Sequence, residues 1–268
     1  MQKDDLGTRM KEFYENRSKT LLTRKIPIVV RVDGRSFHTF TRQFEKPFDL
    51  ILNECLNRTM QFLCQEVQCC KIGYRQSDEI SLILFDNESL TTEPFFDNEV
   101  QKITSTIASM TSVEFCKQLV YYKRLDVLEK WPTFDCRCFS IPETEVTNYI
   151  WWRTLDAMRN SIQGVAQSKF SHSQLLNKDT NQMQEMLFQT YGINWSKLPQ
   201  DQKCGSMCRK VVTQKLIEKG PKSGEWVDRR VWLTFDNPGN RTAIDSQVQN
   251  SLYQITGDKN ANKKLVWE

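Results

Sequence analysis

The sequence predicts an α+β fold: a βαββαβ antiparallel sheet carrying two helices, then a helical region and a β-hairpin. Three observations carry that prediction. The run Ile26-Pro27-Ile28-Val29-Val30-Arg31-Val32 is short, β-branched and apolar, which suits a strand buried on both faces. The apolar positions Leu52, Leu56, Met60, Leu63 and Val67 step by threes and fours, as do Val100, Ile103, Ile107, Met110 and Phe115, so each set marks a helix. Between them Cys70–Tyr74 and Glu79–Phe85 read as two strands joined by the turn Gln76-Ser77-Asp78.

Taken in order, Met1–Lys19 reads as a charged amphipathic helix with Leu6, Met10, Phe13 and Tyr14 at helical spacing. The first strand, about Ile26 to Val32, stops at Asp33-Gly34-Arg35. A polar and aromatic connection, Ser36 to Lys46, closes at Pro47, and the first long helix starts at Asp49. After the hairpin and the polar loop Asp86–Pro94, the second long helix runs from about Asp97 to Leu119. The basic aromatic patch Tyr121-Tyr122-Lys123-Arg124 precedes a strand over Phe134–Ile141. Beyond Pro142, helices are expected over Glu143–Lys169 and Ser173–Gln189, with Gly192–Ser206 loop-like. Val211–Ile217 and Trp226–Phe235 flank Lys219–Gly224, a good hairpin turn. The tail after Asp236 is polar except for Leu265-Val266-Trp267.

With 268 residues the chain can bury one large core or two modest ones, and 39% hydrophobic with 26% charged residues is an ordinary globular composition. No apolar run approaches the roughly 20 residues that span a bilayer. The first twenty residues lack an apolar signal core, so a cytoplasmic protein is expected. The 9 cysteines include no Cys-x-x-Cys pair, and the only histidines are His38 and His172. That favours reduced, buried thiols over a zinc site. A net charge of +4 permits a polyanionic partner without demanding one.

The chemistry is expected where the sheet order places two acidic corners. In a βαββαβ sheet the first and third strands are antiparallel neighbours, so the end of one lies beside the start of the other. Asp33 ends the first strand; Asp78 and Glu79 begin the third. Carboxylates brought together repel unless protonated or neutralised, and hard divalent cations neutralise them. Two magnesium ions clamping the attacking and leaving oxygens are a usual engine of phosphoryl or nucleotidyl transfer. No Gly-x-x-x-x-Gly-Lys-Ser/Thr loop is present, so phosphates would need lysine and arginine side chains. His38 reads either as a general base or as a structural or phosphate-contacting residue. Trp151-Trp152-Arg153 reads either as a base-stacking element or as core. Lys123, Arg124, Lys130 and Arg137 are consistent with a solvated face.

Val30-Arg31-Val32-Asp33-Gly34-Arg35-Ser36-Phe37-His38, Gly73-Tyr74-Arg75-Gln76-Ser77-Asp78-Glu79 and Phe134-Asp135-Cys136-Arg137 together resemble the histidine-tRNA guanylyltransferase family, 3′-to-5′ nucleotide-adding polymerases, over roughly Met1 to Trp232. Where the eukaryotic enzymes carry His-Ile-Asn-Asn-Leu-Tyr-Asn, this chain has Met158-Arg159-Asn160-Ser161-Ile162-Gln163-Gly164, which resembles the guanylyltransferase-like (TLP) branch. The resemblance implies a polymerase-type palm over residues 1–141, with 142–268 packed on it. It implies two magnesium ions on Asp33, the carbonyl of Gly34 and Asp78, with Asp33, Asp78 and Glu79 catalytic. Nucleotide and triphosphate contacts are implied for Gly34, Arg35, Ser36, Phe37, His38, Lys46, Asp49, Ser77 and Lys102, and RNA contacts for Arg137, Arg153, Arg159 and Asn160. Glu99 stands where the family has a further basic residue. The implied activity is repair of truncated tRNA 5′ ends. ATP or GTP activates the 5′-monophosphate, and the 3′-hydroxyl of a templated NTP then attacks it. A tetramer is also implied. G−1 addition to histidine tRNA, a nucleotide cyclase on the same palm and a non-catalytic RNA-binding protein are the alternatives.

Overall fold

The computed structural model describes residues 5–218 and 224–253. Its frame is a 6-stranded antiparallel sheet in the order β4-β1-β3-β2-β5-β6. Helix α1 (Leu6–Phe13) precedes β1 (Ile28–Gly34), and the short α2 (Phe37–Phe40) leads to α3 (Leu50–Glu66), β2 (Cys70–Gln76) and β3 (Glu79–Leu84). Then come α4 (Val100–Tyr121), β4 (Phe134–Ser140), α5 (Val146–Gln167), α6 (His172–Leu175), α7 (Thr180–Tyr191) and α8 (Gln200–Cys204). The hairpin β5 (Ser206–Leu216) and β6 (Trp226–Asp236) and helix α9 (Arg241–Tyr253) complete it. The β4-β1-β3-β2 core with α3 and α4 is the expected ferredoxin-like palm.

Strand alternation builds the two cores on either side of β1. Val30 and Val32 face α3 and α4, meeting Leu56, Met60, Leu63, Ile103 and Phe115. Val29 faces the other way, to Ile83, Tyr149 and Ile150 of α5 and Ile244 and Val248 of α9. Arg31 and Asp33, in phase with Val29, share that second face.

β1 starts later and runs further than predicted. Pro27 has no N–H to donate, so the ladder begins at Ile28. It continues through Asp33 and Gly34, which pair with Asp135 and Phe134 of β4. The second long helix begins at Val100 rather than Asp97, because Phe96, Asp97 and Asn98 take left-handed backbone before it. The helix predicted over Ser173–Gln189 is two: Asn177 is left-handed, and Asp179 and Gln182 form a capping box that restarts the chain as α7. The loop-like stretch holds α8. β5 starts at Ser206, because its first residues pair with β2, so the hairpin extends the main sheet. The polar tail contains α9, which buries Ile244, Val248 and Leu252. The turn at 219–223 and Leu265–Trp267 lie outside the described residues. The first helix shrinks to Leu6–Phe13 and buries none of its side chains.

Candidate active site

The antiparallel pairing of β1 with β3, in register at Val32 and Ile80, brings the two acidic corners to one end of the sheet. Gly34 shows how close they come. A Cβ built there would lie 2.6 Å from Asp78 Oδ2 and 2.3 Å from the Phe37 ring. Only a glycine leaves room for the Asp78 carboxylate to lie against the β1 backbone. Ser77, left-handed in the two-residue turn, donates its hydroxyl to Asp78 Oδ1 at 3.1 Å. Burial pushes the carboxyls of both Asp33 and Asp78 above their ordinary value, and Asp135 across the ladder raises Asp33 further. The Asp33 charge is in turn among the influences that raise Asp78.

Glu79 points elsewhere. It is buried, and Arg153 on α5 grips both its oxygens, Nε to Oε1 at 2.7 Å and Nη2 to Oε2 at 2.6 Å. Burial raises the Glu79 carboxyl and the guanidinium opposes that. Arg153, expected to contact RNA, is buried, with Nε and Nη2 taken up by carboxylates. It also donates to Asp156 at 2.8 Å, and Asp156 accepts from Arg159 and from Asn160 Nδ2 as well. Asp156 escaped the sequence reading, although its spacing of three from both arginines is the helical signal for such a chain of ion pairs.

Beside Asp78 opens a cleft of about 370 Å³ between the Phe37–Asp49 segment, α3, α5 and α8. His38, Lys46, Ser77, Asp78 and Asn160 line it, with Asn53, Arg75, Asp201 and Lys203. Lys46 is exposed and its Nζ donates to Thr41 Oγ1 at 3.3 Å. Arg35 and Ser36 form the exposed turn after Gly34, outside the cleft lining. Arg137 is exposed on β4, 2.6 Å from Asp135 and 4.0 Å from Asp33.

Of three further expected nucleotide contacts, Phe37 and Asp49 line the cleft while serving the fold, and Lys102 lies away from it. The Phe37 ring is core, packed on Phe40, Phe115 and Phe134. Asp49 is buried as the N-cap of α3, accepting from Leu52 N at 2.8 Å and from Glu45 N. Lys102 sits in the first turn of α4 and pairs with Glu99 at 3.3 Å. The later turns of α4 are the ones at the acidic corner, where Ser112 Oγ accepts from Phe134 N and Phe115 packs on Phe37 and Phe134, so Lys102 in the first turn lies away from it.

Residues 7–142, which hold both acidic corners, match the family model described as Thg1, tRNAHis guanylyltransferase. A probable tRNA(His) guanylyltransferase of Dictyostelium discoideum is 30% identical over 207 residues, 72% of this chain and 79% of that protein. The chain belongs to the tRNAHis guanylyltransferase family. It is a nucleotidyltransferase by that membership. A bacterial tRNA(His) guanylyltransferase (Thg1)-like protein in complex with ATP matches with TM-score 0.79 at 36% identity, covering 91% of this chain and 99% of that one. A bacterial Thg1-like protein in complex with GTP matches with TM-score 0.76 at 34% identity, covering 93% of this chain and 100% of that one. Among the described residues no helix is long and apolar enough to cross a membrane.

Proposed function

We propose that this guanylyltransferase-family protein is a template-dependent 3′-to-5′ polymerase that restores truncated tRNA 5′ ends. The observation that carries the reading is the contact between Gly34 and Asp78, with Asp33 alongside, at the rim of a cleft large enough for a nucleotide. ATP or GTP in that cleft would activate the 5′-monophosphate by transfer of its nucleotidyl group, with release of pyrophosphate. The 3′-hydroxyl of the incoming NTP would then attack the activated phosphate and displace AMP or GMP.

The donor set fits magnesium. Asp33, Asp78 and the Gly34 carbonyl offer hard oxygens, and Glu79 is withdrawn by Arg153. Among the described residues no three acidic, histidine or cysteine side chains converge as a closed metal cage. Two carboxylates and one carbonyl would leave coordination positions for water and phosphate, which magnesium commonly retains. Magnesium, when bound, makes the attacking hydroxyl more acidic and neutralises charge on phosphate oxygens. Burial above all, with Asp135 acting on Asp33 and Asp33 on Asp78, raises both carboxyls, and a bound cation would offset each of these. Lys46 and Ser77 line the cleft and would hold phosphate there, and Asn160 lines it from α5. Arg153 acts indirectly: by holding Glu79 it fixes the start of β3, and through it Asp78.

The test is incorporation of labelled NTPs onto a 5′-monophosphate tRNA lacking its first nucleotide, with full-length histidine tRNA as comparison. Extension that follows the template and stops at a complete acceptor stem is expected. A single untemplated G on histidine tRNA alone would replace repair by G−1 addition.

A further inference from the structure

Arg75 lies at the floor of the cleft with no carboxylate in ion-pair contact; Asp201 and Glu54 act on its charge only from a distance. The residue is 2% exposed. Its side chain leaves β2 on the α3 side, where Nε donates to Asn57 Oδ1 at 2.8 Å and Nη1 to Asn53 Oδ1 at 3.3 Å. Nη1 also donates to the Ser77 carbonyl at 3.2 Å, one residue from Asp78. All three acceptors are neutral. No carboxylate among the described residues pairs with the guanidinium, and Nη2 makes no hydrogen bond to any of them. A buried cation whose nearest carboxylates lie beyond ion-pair contact is only partly compensated, and the cost falls when an anion reaches it. The neutral asparagines hold the guanidinium still without cancelling its charge, as a preorganised anion site requires.

The position of the guanidinium selects the anion. It is tied to the Ser77 carbonyl, and the Ser77 hydroxyl is tied to Asp78, so it stands where a nucleotide's phosphates would meet the acidic corner. It also fills a gap. Lys102 lies at the other end of the sheet and Glu99 is acidic, so two cations of the expected triphosphate grip are missing from this corner.

We propose that Arg75 is a phosphate-binding residue of the cleft, with Nη2 reserved for an oxygen of the bound nucleotide's phosphate chain. The proposal rests on the reading of the cleft as a nucleotide site.

The test measures calorimetric binding of ATP and of inorganic tripolyphosphate to the full chain, in wild type, Arg75→Gln and Asn57→Asp. Arg75→Gln removes the charge. Asn57→Asp keeps the shape and the hydrogen bond but supplies a counter-ion from inside the protein. Both variants are expected to bind ATP and tripolyphosphate about 10- to 100-fold more weakly, the worth of one charge-assisted hydrogen bond. Wild-type affinity for tripolyphosphate in folded Arg75→Gln would overturn the proposal. So would weaker ATP binding with tripolyphosphate unchanged, which would put the guanidinium on the base. Should Arg75→Gln fail to fold, Asn57→Asp decides, and unchanged tripolyphosphate affinity there overturns it. Wild-type protein that binds neither ligand would instead remove the nucleotide reading of the cleft, and the proposal with it.

Discussion

Replacing Gly34 by alanine puts one methyl group between the two halves of the active site. The added Cβ would lie 2.3 Å from Phe37 Cδ2, 2.5 Å from Phe37 Cγ and 2.6 Å from Asp78 Oδ2. Gly34 is not among the glycines with positive φ, so the methyl and not the backbone carries the cost. To reach ordinary van der Waals contact the Phe37 ring must retreat by about 1 Å, into a close-packed set of phenylalanines. Overpacking of that kind costs about 1–3 kcal/mol. For a chain of this size each kcal/mol lowers Tm by roughly 2–4 °C, so a fall of roughly 2–12 °C is expected. Asp78 must also move by about 0.8 Å, and a displacement near 1 Å at a reacting centre costs on the order of a hundredfold in rate. Thermal unfolding and single-turnover nucleotide incorporation read the two effects separately. Gly34→Ala with wild-type Tm and incorporation within threefold of wild type would refute the close approach.

Asp78→Asn should stabilise the metal-free protein while abolishing incorporation. Burial raises the native Asp78 carboxyl above its ordinary 3.8, so between that value and the raised one the native state holds the proton more tightly than the unfolded chain. Wild-type stability therefore falls as pH climbs through the window, and the advantage of Asp78→Asn should grow over it and persist to neutrality. Denaturant melts in EDTA from about pH 4 to 7 check the sign; an advantage largest at the acid end would contradict it. The Glu79–Arg153 pair, with side chains 6% and 9% exposed, should cost about 3–5 kcal/mol when either partner alone is removed, as in Glu79→Gln or Arg153→Met. The double variant should recover most of that loss, and additive losses in the cycle would show that the two groups act independently.

Much of this site could be read in the chain because its logic is topological. Apolar spacing located α3, α4 and the strands, and a βαββαβ order leaves β1 and β3 as neighbours, so Asp33 and Asp78 had to converge. What escaped depends on directions that spacing does not encode. Lys102 lies on a correctly placed helix, but at the end away from the acids. Arg153, beside two tryptophans, is an RNA contact by resemblance; in the structure it is the buried counter-ion of Glu79. Asp49, a ligand contact by resemblance, also caps α3 at the edge of the cleft, a role its spacing alone did not show. β5 was recognisable as half of a hairpin, yet its pairing with β2 follows from the residues before Val211, whose pattern is too short to read as strand. Arg75 lay inside a motif noted for its neighbours, and its burial beneath α3 is visible only once Asn53 and Asn57 are placed against it.

The central claim is that Asp33 and Asp78 form one nucleotidyl-transfer centre. Its most direct test is single-turnover incorporation of an NTP onto a pre-activated, 5′-truncated tRNA by Asp33→Asn and Asp78→Asn, with folding confirmed by thermal melts. The account predicts two folded proteins that bind the tRNA and add no nucleotide in magnesium. Incorporation by either variant at a rate near wild type would contradict it.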